Sequence, residues 1–272
     1  MNLHSRCLDA PVGQSISPFT SPSAHSRPPV ILLHGLFGSG NNLGALARHL
    51  QSDYQVCMLD LPSHGRSSWL EELSIRAMSD AVINWLEDRQ YDCVHVLGHS
   101  LGGKVAMDIA QLKPSLVQSL VVADIAPVAY PHRHQSVFAA LNAVAAAHCD
   151  SRDSARAVMA KHLREEQVIS FLLTSLTRGS EGVMEWRFDR EGLERGYEHL
   201  IAAPASKAQY NGRVMFIKGA DSDYILEEHW PTIETLFPQS EIKILADCGH
   251  WLHAQKPQLF NATVSRFLKQ GD

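Results

Sequence analysis

Apolar and polar positions follow two alternating periods along most of the chain. Short continuous apolar runs indicate strands that are buried on both faces of a sheet. Segments with apolar residues at positions i, i+3 and i+4 follow these runs and indicate amphipathic helices. Because strands and helices alternate, the sequence predicts an α/β fold with a mostly parallel sheet and helices on both faces. The predicted strands of this sheet are VILLHG, YQVCMLD, CVHVLG, QSLVVAD, RVMFIKG and EIKILAD, and the first of them is typical of a strand buried on both faces.

The alternation stops between residues 132 and 203, where the pattern is helical almost throughout. No run there is typical of a buried strand. We predict one core formed by residues 30–131 and 204–272, with residues 132–203 inserted as a helical cap. The predicted cap helices are HQSVFAALNAVAAAH, SARAVMAKHL, QVISFLLTSLTR and EGLERGYEHL.

The first 29 residues differ from the rest of the chain. Leu3, Ser5 and Cys7 alternate with their neighbours, which predicts one short edge strand. The segment SISPFTSPSAHSRPP follows and is rich in Ser and Pro. This composition predicts a flexible loop that leads into the core.

Composition argues against several classes of function. Hydrophobic residues make up 45% of the 272 positions and charged residues 19%, a balance typical of globular proteins. The net charge of −5 and the absence of a Lys/Arg cluster argue against a nucleic-acid partner. No apolar run reaches the length of a membrane span, and the N-terminus does not resemble a signal peptide.

Cysteine and histidine usage argues against disulfides and metal sites. The five cysteines are scattered and form no C-x-x-C pair, so we predict no disulfide framework and a soluble, reduced, cytoplasmic protein. Fifteen histidines include His132 with His134 and His250 with His253, but no convincing further ligands accompany them. We therefore expect no metal and no cofactor.

One glycine-rich motif, Gly98-His99-Ser100-Leu101-Gly102, stands between a predicted strand and a predicted helix. Its two glycines allow a sharp turn without side-chain clashes. The helix that starts at the serine directs free N–H groups and its positive dipole end toward a developing oxyanion. In this setting the G-x-S-x-G pattern predicts Ser100 as a nucleophile; the alternative is a glycine-rich turn with an incidental serine.

A serine nucleophile needs a base within hydrogen-bonding distance. For a strand–turn–helix nucleophile the chain order is serine, acid, histidine, so we expect the base late in the sequence. His250 in LADCGHWLH lies between the last predicted strand and the last predicted helix. His253 is the alternative, but a helix that begins there would make it a packing or surface residue. We therefore predict His250 as the base.

The developing oxyanion also needs backbone N–H donors. Leu101, which directly follows the nucleophile, is predicted to supply one of them. We predict the second at Leu36, in the loop HGLFGSGNN after the first buried strand. There His34-Gly35 lets the chain turn so that the N–H of Leu36 can point toward the substrate.

Several short motifs together resemble the α/β-hydrolase superfamily. They are HG-x-x-G-S at 34–39, D-x-x-x-H-G-x-S at 60–67, GHSLGGK at 98–104, DIAPV at 124–128 and GHW at 249–251. The segments DIAPVAY, EWRF and GADSDYI resemble a narrower group, the YbfF-type acyl esterases. The resemblance implies an eight-stranded sheet with a helical cap, and hydrolysis of acyl esters and of thioesters such as fatty acyl-CoA. The family's nucleophile and base carry over to Ser100 and His250.

The segment KGADSDYI at 218–225 is one candidate source of the acid that partners the base. In many relatives the acid lies three residues after the glycine that ends the seventh strand. Here that glycine is Gly219 and the third residue is Ser222, as in the resembled esterases. Asp221 and Asp223 are carboxylates, but each lies one residue out of register.

Asp124, at the end of the predicted strand SLVVAD, is the other candidate acid. The carboxyl end of a buried strand borders the crevice in which open α/β sheets bind ligands. In the resembled fold this strand neighbours the nucleophile strand, about 5 Å away. We predict Asp124 as the acid and keep Asp221, Asp223 and Ser222 as alternative acids or supporting residues. Another interpretation is that Asp124 only caps a turn.

These residues predict a serine hydrolase that cleaves small-molecule acyl esters or thioesters through an acyl-enzyme intermediate. Carbon–carbon bond hydrolases and cofactor-free haloperoxidases keep the same three residue types on this scaffold and are alternatives. A binding scaffold without turnover is a third possibility. Ser100 argues against dehalogenases and epoxide hydrolases, because both use a carboxylate nucleophile. The sequence does not indicate an acyl chain length or an oligomeric state.

Overall fold

The computed structural model of the protein describes residues 1–9 and 27–271. Most of the predicted flexible loop, residues 10–26, lies outside the described residues. A central sheet is covered by helices on both faces, and each face has its own hydrophobic core. The predicted α/β fold, with a mostly parallel sheet and helices on both faces, is therefore confirmed.

Nine strands are found in the part of the chain that the structure describes. Their bounds are Ser5–Leu8 (β1), Val30–Leu33 (β2), Val56–Leu59 (β3), Val94–His99 (β4), Val117–Ala123 (β5), Leu176–Arg178 (β6), Met184–Trp186 (β7), Arg213–Gly219 (β8) and Ser240–Leu245 (β9). Seven of them form the main sheet in the order β1-β3-β2-β4-β5-β8-β9. All its neighbouring pairs are parallel except β1 and β3, which run antiparallel.

Helices cover this sheet and also form most of the segment between β5 and β8. Their bounds are Gly44–Leu50 (α1), Ile75–Asp88 (α2), Leu101–Leu112 (α3), Gln135–Ala146 (α4), Arg152–Met159 (α5), Glu166–Leu173 (α6), Arg190–Arg195 (α7), Tyr197–Ile201 (α8), Trp230–Leu236 (α9), Leu252–Gln255 (α10) and Pro257–Lys269 (α11). Apolar residues of α2 and α3 contribute to one core, and those of α1 and α11 to the other. No helix among the described residues is long and apolar enough to cross a membrane.

Strand β2 shows why a continuous apolar run forms a central strand. Alternate side chains of a strand point to opposite faces. Ile31 and Leu33 accordingly pack in one core, and Val30 and Leu32 pack in the other. All four residues are fully buried, so a polar side chain at any of them would lose its contact with water.

The prediction of eight strands in the main sheet is wrong for the described residues. Among them, the main sheet has seven strands. The count of eight was carried over from the family resemblance, whereas the patterns along the chain indicate six strands of the alternating core and one N-terminal edge strand. The described N-terminal segment supplies a single four-residue strand, β1, at the edge of the sheet. The strand count therefore follows the patterns of this chain.

The inserted segment is less uniformly helical than predicted. It contains α4 to α8, but β6 and β7 pair as an antiparallel two-stranded sheet between α6 and α7. Each of these strands has only three residues, which is too short for a period-two pattern to be visible. The boundaries of the cap at residues 132–203 stay a prediction.

The cysteine prediction is wrong for one pair, because Cys7 and Cys57 form a disulfide. The two residues are directly opposite each other in the antiparallel pairing of β1 and β3, with Cα atoms 4.0 Å apart. Their separation of 50 residues conceals this register in the sequence. Cys93, Cys149 and Cys248 are free thiols. The cytoplasmic location stays a prediction.

Candidate active site

Ser100 occupies the sharp turn between β4 and α3. Its φ of 53° and ψ of −119° are rarely adopted by residues other than glycine. Glycine is needed on both sides, because a Cβ on Gly98 would lie 2.0 Å from the carbonyl oxygen of Gly102. A Cβ on Gly102 would lie 2.3 Å from the carbonyl oxygen of Leu33. The turn thus holds a half-buried serine at the carboxyl edge of the sheet.

The imidazole of His250 lies beside Ser100, in the loop between β9 and α10. Its Nε2 is 3.0 Å from Ser100 Oγ. One face of the ring stacks on Tyr224, with centroids 3.9 Å apart and an interplanar angle of 18°. The backbone is held too, because Nε2 of His99 donates to the carbonyl oxygen of His250 at 2.9 Å. Tyr224 and His99 therefore orient this imidazole, and sequence reasoning assigned a role to neither.

His253, the alternative base, lies on α10 and packs against His99, with ring centroids 4.5 Å apart. Burial, and then the proximity of His250, lowers the pKa of His253 to about 4. Among the described residues, the imidazole hydrogen-bonded to Ser100 is that of His250. These contacts fit the expectation that His253 is a packing residue.

Asp124 lies directly after β5 and is fully buried. Its Oδ2 is 2.8 Å from Nδ1 of His250, and its Oδ1 accepts from the N–H of Gly219 at 3.0 Å. The hydroxyl of Ser222 also donates to Oδ2. These three donors offset the cost of burying a charged carboxylate. An unbroken path of hydrogen bonds thus runs from Ser100 through His250 to Asp124.

The loop after β8 meets this path through Ser222 and Tyr224. Ser222 is buried, and its Oγ accepts from the N–H of Tyr224 at 3.3 Å in addition to its bond with the carboxylate. Asp221 and Asp223 are exposed, and Asp223 forms an ion pair with Arg133 at 2.8 Å. Of the predicted candidates for the acid, the structure brings Asp124 to the imidazole and places Ser222 behind it.

The N–H groups of Leu36 and Leu101 lie beside the serine turn. Leu101 is the first residue of α3, where helix N–H groups lack intrahelical acceptors. The loop of Leu36 passes close to the turn, because a Cβ on Gly35 would lie 3.3 Å from Cβ of Ser100. Among the described residues, no protein atom accepts a hydrogen bond from the N–H of Leu36. Both N–H groups are therefore available to an oxygen atom bound near Ser100.

A cavity of about 400 Å³ adjoins these groups, within the range of small-molecule sites. Ser100, His250, Leu36 and Leu101 line it on the side of the sheet. Apolar side chains of the inserted segment also line it. They are Val137, Leu163, Val168, Phe171, Leu172 and Leu200.

Comparison with known proteins identifies the family of the chain. The model of the alpha/beta hydrolase fold family matches residues 28–257. The chain belongs to this family. It is 37% identical to the esterase YbfF of Escherichia coli (strain K12), over 92% of this chain and 96% of that protein. This agrees with the predicted resemblance to YbfF-type esterases.

Two further α/β-hydrolases extend the comparison. The sn-1-specific diacylglycerol lipase ABHD11 of Xenopus laevis is 35% identical, over 89% of this chain and 80% of the lipase. A solved structure described as a marine microorganism esterase superposes with a TM-score of 0.88 at 28% identity. That alignment covers 97% of this chain and 98% of the esterase, so the similarity extends to the inserted segment.

Lys104 links the helix of Ser100 to both ends of the inserted segment in this α/β-hydrolase. Its ammonium group donates to the carbonyl oxygens of Val128 at 3.0 Å, Ile201 at 2.7 Å and Ala202 at 2.5 Å. Burial lowers the pKa of Lys104 to about 7. The three carbonyl oxygens give each ammonium proton an acceptor. The chain enters the segment after Val128 and leaves it near Ile201, so Lys104 joins both connections to α3.

Two arginines, Arg133 and Arg187, line different cavities. Arg133 lines the 400 Å³ cavity and pairs with Asp223. Arg187 lines a separate, polar cavity of about 180 Å³ and donates to Oγ1 of Thr177 at 3.3 Å. Trp251 lies with Arg133 in the larger cavity.

The histidine, cysteine and carboxylate side chains of the described residues are dispersed with respect to metal binding. In the described ranges, no group of three or more His, Cys, Asp or Glu residues is arranged to hold a metal ion. The paired histidines of the sequence make other contacts: His132 packs on the ring of Tyr197, and His134 hydrogen-bonds its hydroxyl. Independence of metals and cofactors stays a prediction.

Proposed function

We propose that this α/β-hydrolase is a serine hydrolase that cleaves carboxylic acyl esters or thioesters through an acyl-enzyme intermediate. The observation that carries the proposal is the hydrogen-bond path from Ser100 through His250 to Asp124, beside a largely apolar cavity. Relatives described as an esterase and as a diacylglycerol lipase support ester cleavage in particular.

The first half of the reaction forms the acyl-enzyme. Nε2 of His250 takes the proton of Ser100 Oγ as that oxygen attacks the carbonyl carbon of the substrate. The negative charge that develops on the carbonyl oxygen is stabilised by the N–H groups of Leu36 and Leu101. The carbonyl then re-forms, His250 protonates the departing alcohol or thiol, and the acyl group stays on Ser100.

The second half hydrolyses the acyl-enzyme. His250 removes a proton from a water molecule, which attacks the same carbonyl carbon, and then returns a proton to Ser100 Oγ as the carboxylic acid leaves. Asp124 accepts from Nδ1 of His250 and thereby keeps Nε2 free to act as the base. Its negative charge also stabilises the imidazolium that forms in both halves. Ser222 and Gly219 hold the carboxylate in this orientation.

The inserted segment is proposed to be a cap that receives the acyl chain. Its apolar side chains line the same cavity as Ser100. Burial of each methylene group contributes about 0.8 kcal/mol to binding. Acyl chains that reach these side chains should therefore bind more tightly than acetyl groups, and the substrate is a small molecule with an apolar acyl group.

Replacement of the nucleophile tests the proposal. Turnover is measured with p-nitrophenyl esters and acyl-CoA thioesters of graded chain length. We expect Ser100→Ala to lower kcat by about a thousandfold or more without changing the melting temperature. Ser136→Ala is a matched control, because Ser136 lines the same cavity and is not part of the hydrogen-bond path. Comparable turnover by Ser100→Ala and the parent protein would contradict the proposal.

A further inference from the structure

The peptide unit between Gly35 and Leu36 carries one of the two proposed oxyanion donors. The described chain has no cis peptide bond, so the C=O and N–H of this unit point in opposite directions. Groups that hold the carbonyl of Gly35 therefore also set the direction of the N–H of Leu36. Two donors hold it, namely Nδ1 of His34 at 2.8 Å and the N–H of Gly38 at 3.1 Å.

His34 and His64 connect this loop to the loop that follows β3. Nε2 of His34 accepts from the N–H of Leu61 at 2.9 Å. Nε2 of His64 accepts from the N–H of Phe37 at 3.1 Å. A backbone N–H can only donate, so both Nε2 atoms are unprotonated and both Nδ1 atoms carry the proton. Each loop thus gives one N–H to an imidazole of the other loop.

Phe37, which follows Leu36, is hydrogen-bonded through both its N–H and its carbonyl oxygen. Phe37 has a φ of 64°, which is uncommon for a residue with a side chain. Its N–H is bound by His64, and its carbonyl oxygen accepts from Oγ of Ser175 at 2.6 Å. These bonds stabilise a backbone conformation that costs free energy by itself. Ser175 belongs to the inserted segment, so both the core and that segment hold the loop.

The two imidazoles are fully buried, and their ring centroids are 5.2 Å apart. Burial lowers the pKa of His34 to about 4 and that of His64 to about 3. The charged or titratable groups that face them are His99, Asp60 and Asp189, and the two carboxylates oppose the shift at His64. Near neutral pH both rings are uncharged and keep an unprotonated nitrogen for the opposite loop.

We propose that His34 and His64 are positioning residues that hold the N–H of Leu36 toward the developing oxyanion through a reciprocal exchange of hydrogen bonds between their loops. This inference rests on the proposed function. Neither imidazole is among the residues that line the cavity, so both act through the backbone and not on the substrate. A hydrogen bond to the Gly35 carbonyl also polarises the peptide unit and strengthens its N–H as a donor.

The two rings act on the donor peptide through different nitrogen atoms. His34 uses Nδ1 on the Gly35 carbonyl, whereas His64 uses Nε2 on the N–H of Phe37. An asparagine amide reaches approximately the position of Nδ1, and a glutamine amide approximately that of Nε2. His34→Asn and His64→Gln therefore keep the bond to the oxyanion loop, while His34→Gln and His64→Asn lose it.

The test compares kcat and KM of these four variants on one p-nitrophenyl ester, together with their melting temperatures. We expect His34→Gln and His64→Asn to lower kcat by about 10- to 100-fold, less than the roughly 100- to 1000-fold loss of a whole oxyanion donor. His34→Asn and His64→Gln should stay within about fivefold of the parent kcat. KM should change little in all four, because the donor acts mainly in the transition state.

Equal decreases in kcat in both members of each pair would overturn the inference. An increase in KM with kcat unchanged would overturn it too. If the variants do not fold, nitrogen NMR of labelled histidine in the parent protein decides. We expect His34 and His64 to stay neutral with the proton on Nδ1 at pH 5, and a charged ring or a proton on Nε2 would overturn the inference. An inactive parent protein that shows these tautomers would instead refute the proposed function.

Discussion

Asp124→Asn is the substitution that most directly tests the assignment of the acid. The side chain has no exposure, and its two oxygens face different donors. Oδ1 accepts from the N–H of Gly219, and Oδ2 accepts from Nδ1 of His250. Asparagine offers one oxygen and one NH₂ group, so it can satisfy only one of these two donors.

The N–H of Gly219 can only donate, and this determines how the asparagine amide is oriented. If its oxygen faced His250, its NH₂ group would meet the N–H of Gly219, and a buried donor without an acceptor costs about 1 to 3 kcal/mol. The imidazole can instead move its proton to Nε2 and accept from the NH₂ group through Nδ1. Nε2 then donates to Ser100 and is no longer a base. This tautomer is favoured by about 5- to 150-fold, since about 1.4 kcal/mol corresponds to tenfold.

The change of tautomer accounts for about 5- to 150-fold, and the loss of the negative charge that stabilises the imidazolium adds to it. By analogy with other triad acids, we expect Asp124→Asn to lower kcat by up to about ten-thousandfold, with KM within a few-fold of the parent. The assay is steady-state hydrolysis of a p-nitrophenyl ester at pH 7 to 9, with thermal unfolding measured in parallel. Asp221→Asn is the matched control, because Asp221 is an exposed carboxylate in the neighbouring loop. A folded Asp124→Asn enzyme that kept more than about a tenth of parent kcat would refute the reasoning.

Three further outcomes follow from the same contacts. Ser222→Ala removes a hydrogen bond to the buried carboxylate. Since hydrogen bonds to charged groups contribute about 1.5 to 3 kcal/mol, we expect kcat to fall about tenfold in the same ester assay. An unchanged kcat would contradict this. Lys104→Met leaves buried carbonyls without a donor and should lower the unfolding free energy in urea by at least about 2 kcal/mol, against about 0 to 1 kcal/mol for the exposed control Lys113→Met. The folded-state pKa values of His34 and His64 lie below the ordinary value of 6.5, so the unfolded chain binds more protons in acid. Urea unfolding should therefore show stability falling from about pH 6.5 toward pH 4, by up to about 1.4 kcal/mol per pH unit for each imidazole, and a flat profile would contradict their burial as neutral rings.

Features that depend on short stretches of sequence could be predicted well. The turn at Ser100 needs glycine at positions 98 and 102 because backbone atoms lie within 2.3 Å of the added Cβ positions. Such a local steric requirement leaves a visible pattern. The alternation of strands and helices likewise indicated the sheet, because the central strands β2, β3 and β4 are buried along their whole length and leave continuous apolar runs. The predicted family and fold are confirmed for these reasons.

The acid could be narrowed but not assigned from sequence, because its surroundings come from two strands far apart in the chain. Residues of β5 pair with residues of β8, with Ala123 opposite Ile217. This pairing brings Asp124 next to Gly219 and Ser222. Counting from Gly219 singled out Ser222, but only the strand pairing shows that its hydroxyl meets the carboxylate.

Other contacts left no signal in the sequence. The Cys7–Cys57 disulfide depends on the register of two antiparallel strands, and the β6–β7 pair on strands of three residues. The exchange between His34 and His64 joins loops that are separated by β3 and by α1. In each case the partner is set by tertiary packing, so no local periodicity could reveal it.

Detection of the acyl-enzyme tests the central claim most directly. The protein is mixed with a p-nitrophenyl ester, quenched in acid within the first turnovers, digested and analysed by mass spectrometry. We expect the peptide that contains Ser100 to gain the mass of one acyl group, in step with a burst of nitrophenol, and Ser100→Ala to show neither. Ester hydrolysis without an acyl group on Ser100, or with the acyl group on another residue, would contradict the account.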